Sequence, residues 1–135
     1  MPLDKEIRGD RTLTIPVAGQ ATAATVDEFS GLVAPFDLKI TAAKWIPAAA
    51  ITANASNYFT LTLRNRTTGA GTALPASRSY AATNSTAFVA EAMTLSGTAA
   101  DLEVAEGDLL TVEKLVTGTG LAMPDGVVQV TVRAN

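Results

Sequence analysis

Residues 57–66, NYFTLTLRNR, put Phe59, Leu61 and Leu63 on one side of an extended chain and Tyr58, Thr60, Thr62 and Arg64 on the other. Side chains alternate between the two faces of a strand, so this spacing calls for a sheet with one face buried and one wet. The same period of two returns at Leu13, Ile15 and Val17, at Leu38 and Ile40, at Leu110 and Val112, and at Val128, Val130 and Val132. No long segment carries a 3.6-residue period. Short strands separated by turn residues predict an all-β domain, either a sandwich or a barrel. Its core is expected to hold Ile40, Phe59, Leu61, Leu63, Leu110, Val112, Val128, Val130 and Val132.

Within that frame the sequence divides into an N-terminal arm with an edge strand (1–20), a connecting segment (21–36) and a β-sandwich domain (37–135). The arm carries charges of both signs, Asp4, Lys5, Glu6, Arg8, Asp10 and Arg11, and no apolar face. In RTLTIPV, Pro16 has no N–H for a ladder, which assigns the strand to a sheet edge. Thr25-Val26-Asp27-Glu28 has the form of a capping box, and Gly31 is placed to end one helical turn with Val26, Phe29 and Val33 on a shared face. Leu38, Ile40 and Ala42 alternate with Lys39, Thr41 and Ala43, and after them the buried phase slips by one so that Trp45 points inward, the signature of a bulge. Pro47 then stops the ladder. TTGAGTALPASRS reads as a loop from its glycines and proline. In STAFVAEAMTL the inward set is either Phe88, Ala90 and Ala92 or Val89, Glu91 and Met93; the charge of Glu91 favours the first, and Met93 and Leu95 then need another phase slip.

The chain has no cysteine and no histidine, which removes disulfides, thiol nucleophiles and the usual general base near neutral pH. Its serines lack an activating partner and no G-x-S-x-G occurs. GAG and GTG match neither a P-loop nor a dinucleotide fingerprint. Asp101, Glu103, Glu106 and Asp108 form the one acidic cluster, but without a calcium-loop pattern it reads as a solvated turn and not a metal site. No enzyme and no cofactor are expected. A net charge of −3 argues against nucleic acid as a partner, and no apolar run approaches the roughly 20 residues of a membrane span. MPLDKEIRGDR has no apolar core of a signal peptide, so synthesis in the cytoplasm without export by that route is expected. Charged residues make up only 17% of the chain, and residues 47–56 carry none. A loop of small uncharged residues suits a surface that becomes covered, because such residues lose little side-chain entropy on burial.

The order of the segments WIPAAAITANASNYFTLTLRNR, TTGAGT, TLSGTAADLEVAEGDLLTVEK and GTGLAMPDGVVQVTV, spanning residues 38–133, resembles the small decoration (cement) proteins of tailed-bacteriophage capsids. That resemblance implies a jelly-roll-like β-sandwich with an extended N-terminal arm, a homotrimer on the capsid lattice, and a place on the outer surface of the virion. The partner it implies is the major capsid protein, bound across subunits so that the assembled shell is stabilised. On that reading Leu3, Lys5, Ile7, Arg8, Arg11, Leu13 and Ile15 are candidates for capsid binding, and Trp45, Pro47 and Ile51 for the subunit interface. The alternative is a carbohydrate- or receptor-binding β-sandwich on a virion fibre, which calls for an aromatic or acidic pocket.

Overall fold

A computed structural model describes residues 9–67 and 73–135. Ten strands run through them: β1 (Arg11–Val17), β2 (Asp27–Val33), β3 (Leu38–Pro47), β4 (Tyr58–Asn65), β5 (Ala76–Ser79), β6 (Glu91–Ala92), β7 (Thr94–Leu95), β8 (Glu103–Val104), β9 (Leu109–Thr117) and β10 (Gly126–Ala134). A single 3-10 turn at Ala99–Leu102 precedes β8. One antiparallel sheet has the order β1-β10-β3-β6, with β8 also paired to β3; the other has the order β2-β9-β4-β5-β7. The chain changes sheet at every step except β4 to β5, which wraps the two layers in a jelly-roll-like β-sandwich.

The alternation in β4 does what its spacing demands. Phe59, Leu61 and Leu63 are fully buried, as are the other six expected core residues, Ile40, Leu110, Val112, Val128, Val130 and Val132. Each such side chain contributes about 1.5–3 kcal/mol through the apolar surface it removes from water. The phase slip in β3 is a bulge. Thr131 pairs with Ala42 while Val132 pairs with Ile40, so Thr41 is the extra residue. The inward set then runs Leu38, Ile40, Ala43 and Trp45. Strand β1 pairs only with β10, so Pro16 does lie on an edge strand.

Three expectations change. Residues 27–33 form a strand paired with β9, not a helical turn in a connecting segment. One isolated turn has a costly nucleus and few hydrogen bonds to offset it, whereas β9 supplies a ready-made ladder. Val26 and Val33, which a helical face would have buried, stay 54% and 60% exposed. With β1 and β2 both in the sheets, the sandwich begins at Arg11 and not at residue 37. Phe88 does not point inward. It is 77% exposed, and Met93 fills the core in its place. The loop expected over residues 67–79 ends in strand β5, and its residues 68–72 lie outside the described part.

Candidate functional site

Most of the titratable groups near the sheets hold the fold's own parts together. On the outer face of the second sheet, Glu28 accepts two hydrogen bonds from the Arg66 guanidinium, Nε and Nη2 each at 2.9 Å, and one from the Thr111 hydroxyl at 2.7 Å. Arg64 donates to Glu113 at 3.1 Å and lies 3.8 Å from Glu28. The Arg66 hydrogen bonds, with help from Thr111 and the two arginine charges, outweigh partial burial and hold the Glu28 carboxyl down to about 2. The network spans β2, β4 and β9 and ties edge strand β2 to the sheet.

A second brace stands at the opposite edge of that sheet. Arg78 on β5 makes an ion pair with Glu91 and also donates to the Asn84 carbonyl at 3.2 Å. The Tyr80 and Ser85 hydroxyls are 2.7 Å apart. Asp108 serves the turn before β9. It accepts from Asn65 Nδ2 at 3.0 Å and from the Ala105 N–H at 3.1 Å, and the Asn65 hydrogen bond is the main reason its pKa falls below the ordinary carboxylate range. Asp101 accepts from Ser96 Oγ at 2.7 Å. The acidic residues at 101–108 therefore serve separate partners, and among the described residues no group of three potential ligands is placed to hold a metal ion.

Lys114 is the group that sequence reasoning missed. It continues the inward phase of Leu110 and Val112 and is fully buried. Its Nζ donates to the carbonyls of Thr22 and Ala23, both at 3.0 Å, and lies 5.9 Å from the Phe59 ring centroid. Burial lowers its pKa, with the charge of Asp27 acting in the opposite direction. The period of two pointed to this position; the charge of the residue concealed it.

Of the expected capsid-binding residues, Leu3, Lys5, Ile7 and Arg8 lie outside the described residues. Arg11 is exposed at the start of β1, Leu13 is half-buried against the core, and Ile15 is fully buried. Pairing with β10 turns Leu13, Ile15 and Val17 toward the protein's own interior, so their side chains are spent there. The outward residues of β1 are Thr12, Thr14 and Pro16. Trp45, Pro47 and Ile51, expected at a subunit boundary, are all buried within one copy of the chain. Trp45 packs against Gly126, where a Cβ would come within 2.6 Å of its ring, and its indole N–H has no acceptor among the described residues.

The uncharged loop over residues 47–56 is fastened to its own chain. Ile51 and Ser85 exchange backbone hydrogen bonds of 3.0 and 2.9 Å, and Asn54 N–H donates to the Tyr80 carbonyl at 3.1 Å. The Asn54 side chain closes the turn by accepting from the N–H groups of Ser56 and Asn57 at 2.9 and 2.8 Å. Ala48, Ala49, Ala50 and Thr52 remain exposed. Features open to an outside partner include the edge strands β1 and β2, the latter with Val33 60% exposed, and an apolar end of the sandwich around Ala48–Ala50 and Phe88. Set against known family models, curated proteins and solved structures, the chain matches none of them.

Proposed function

We propose that this protein is a structural component of a virion. On this reading it sits on the outer surface of a tailed-bacteriophage capsid as a homotrimer, binds across subunits of the major capsid protein and stabilises the assembled shell. The observation that carries it is the division of labour in the sandwich. Glu28, Arg66, Arg78, Glu91 and Asp108 bond to one another or to neighbouring backbone, while the open surfaces include the edge strands β1 and β2 and exposed apolar residues. Such surfaces hold another protein through main-chain hydrogen bonds and close contact and do not perform chemistry. Strand β1 has β10 on one side and an open edge on the other. Its register puts Arg11 opposite Val132, the first rung of the sheet, and on this reading the segment before it is the tether to the shell. On this reading the protein performs no catalysis and carries no cofactor. The alternative, a glycan-binding module, needs exposed aromatic platforms. Trp45 and Tyr80 are fully buried, and Phe88, 77% exposed, is a single ring outside any aromatic or acidic pocket, which weighs against it.

Removing residues 2–8 tests the tether while leaving β1 whole. The truncated protein is expected to keep its β-rich circular dichroism and its cooperative unfolding. Its co-sedimentation with undecorated capsids is expected to weaken by about tenfold or more, as when one of several linked contacts is lost. Undiminished co-sedimentation would assign the grip to the sandwich alone.

A further inference from the structure

Residues 18–26, AGQATAATV, cross from the end of β1 in the first sheet to the start of β2 in the second. None of them is buried. Ala18, Ala21, Thr22, Ala24, Thr25 and Val26 are exposed, and Gly19, Gln20 and Ala23 are half-buried. The apolar core therefore gives this crossover little hold. A segment with few buried apolar contacts opens locally, at a lower free energy than the strands beside it.

Polar contacts hold it instead. Gln20 and Met123 exchange backbone hydrogen bonds of 2.9 and 2.8 Å, and Thr25 N–H closes a turn onto the Thr22 carbonyl at 3.2 Å. The middle is fastened from beneath, where Lys114 Nζ donates to the carbonyls of Thr22 and Ala23. Asp27 stands opposite Lys114 in the ladder, but its carboxylate accepts from Gln20 Nε2 at 3.0 Å and from the Glu28 N–H at 2.8 Å. Among the described residues Lys114 is the one charged side chain with no exposure at all. Closing the crossover takes its ammonium out of water, a cost that the two carbonyl bonds offset; lifting the crossover returns it to water. The ammonium thus has partners in both arrangements, which lets the segment exchange between them without unfolding the sheets.

We infer that residues 18–26 are a strap that opens as a unit while the sandwich stays folded, with Lys114 as the latch that holds it shut. The strap joins the edge strands of the two sheets, β1 and β2. Its opening brings the Lys114 amine, and the core beside Phe59, within reach of solvent. The latch is the pair of hydrogen bonds and not an ion pair, so it depends on a donor at position 114. The device belongs to the fold and stands whatever the protein binds.

Lysine labelling and hydrogen exchange of the full chain test it together. A pulse of N-hydroxysuccinimidyl acetate, read by mass spectrometry, should acetylate Lys39 and Lys44 first, since both are exposed. Lys114 should follow more slowly, yet well ahead of global unfolding. Its rate should hardly change in urea below the transition, because a local opening exposes little surface. The amides of Gln20 and Thr25 should exchange with the same opening constant, while those of β4 and β10 exchange only with global unfolding. Lys114→Met keeps an apolar stem and removes the donor. Its strap amides should exchange at least ~10-fold faster, the size of a lost hydrogen bond to a charged group, with β4 and β10 as before. Labelling of Lys114 only at the rate of global unfolding, or as fast as Lys39, would overturn the strap. Strap exchange unchanged in Lys114→Met, or quickened equally in every strand, would overturn the latch. If that variant fails to fold, the wild type still decides: an opening constant for Lys114 that differs from that of Gln20 and Thr25 would show that latch and strap do not move together.

Discussion

Glu28 binds Arg66 through both carboxylate oxygens and takes a third hydrogen bond from Thr111, which makes it the most strongly perturbed carboxylate among those described. Its folded pKa, about 2, lies below the unfolded value of 4.5. A depressed carboxylate contributes stability that is fully present above the unfolded pKa and is lost as pH falls toward the folded one. Glu28→Gln should therefore lower stability at pH 7 by about 1–2 kcal/mol, a figure discounted for partial solvent screening. The gap between the two proteins should close between pH 4.5 and about 2. Urea denaturation at a series of pH values reads this directly, and a gap independent of pH would show that the ion pair is not its source. At this scale the sequence was uneven. The inward phase of Leu110 and Val112 extends to Lys114, but a lysine is ordinarily read as exposed. What makes its burial tolerable is a pair of carbonyls at Thr22 and Ala23, 92 and 91 residues away in the chain, and no local pattern announces them.

Strands with an apolar run of their own were legible: β4, β9 and β10 alternate cleanly, the slip in β3 marked its bulge, and Pro16 marked β1 as an edge. Strand β2 was not legible, because DEFSGLV has no clean alternation and owes its conformation to β9. Its bulge residue carries the explanation. At Gly31 the ladder slips between Ser30 and Leu32, and a Cβ there would lie 2.0 Å from the Leu110 carbonyl oxygen. Read along the chain, Gly31 is a plausible helix end; in the fold it is the point where two backbones touch. Gly31→Ala should push β2 from β9 and cost about 1–3 kcal/mol, as forced overpacking does. Gly97→Ala, where a Cβ meets nothing within 4 Å, is the matched control and should stay within about 0.5 kcal/mol. Thermal unfolding of both variants makes the comparison, and equal effects would refute the close-approach account. The segment around Phe88 was misread for a related reason. Its charge argued Glu91 off the core, yet it stands opposite Trp45 in the ladder and shares the phase of buried Met93, neutralised by Arg78. Phe88, Ala90 and Ala92 are exposed, and the residues before Glu91 do not continue a strand. They turn outward on hydrogen bonds to Pro47 and Glu91.

At the scale of the whole molecule, the strand order joins β1 to β10, the two ends of the described chain, so the sandwich closes only when its termini meet. That arrangement puts the start of the body on an open sheet edge and leaves an uncharged end at Ala48–Ala50 and Phe88, two surfaces suited to contacts of different kinds. On the proposed function, the edge anchors the tether to a shell. A protein that binds an assembled capsid but not its separated subunits must stabilise the assembly by mass action. The most direct measurement is the heat-disruption temperature of undecorated capsids titrated with the full-length protein. The account predicts a rise that reaches a plateau at a fixed ratio of protein to capsid subunit, with the protein found in the particle pellet. A disruption temperature unchanged at every concentration, with the protein left in the supernatant, would contradict it.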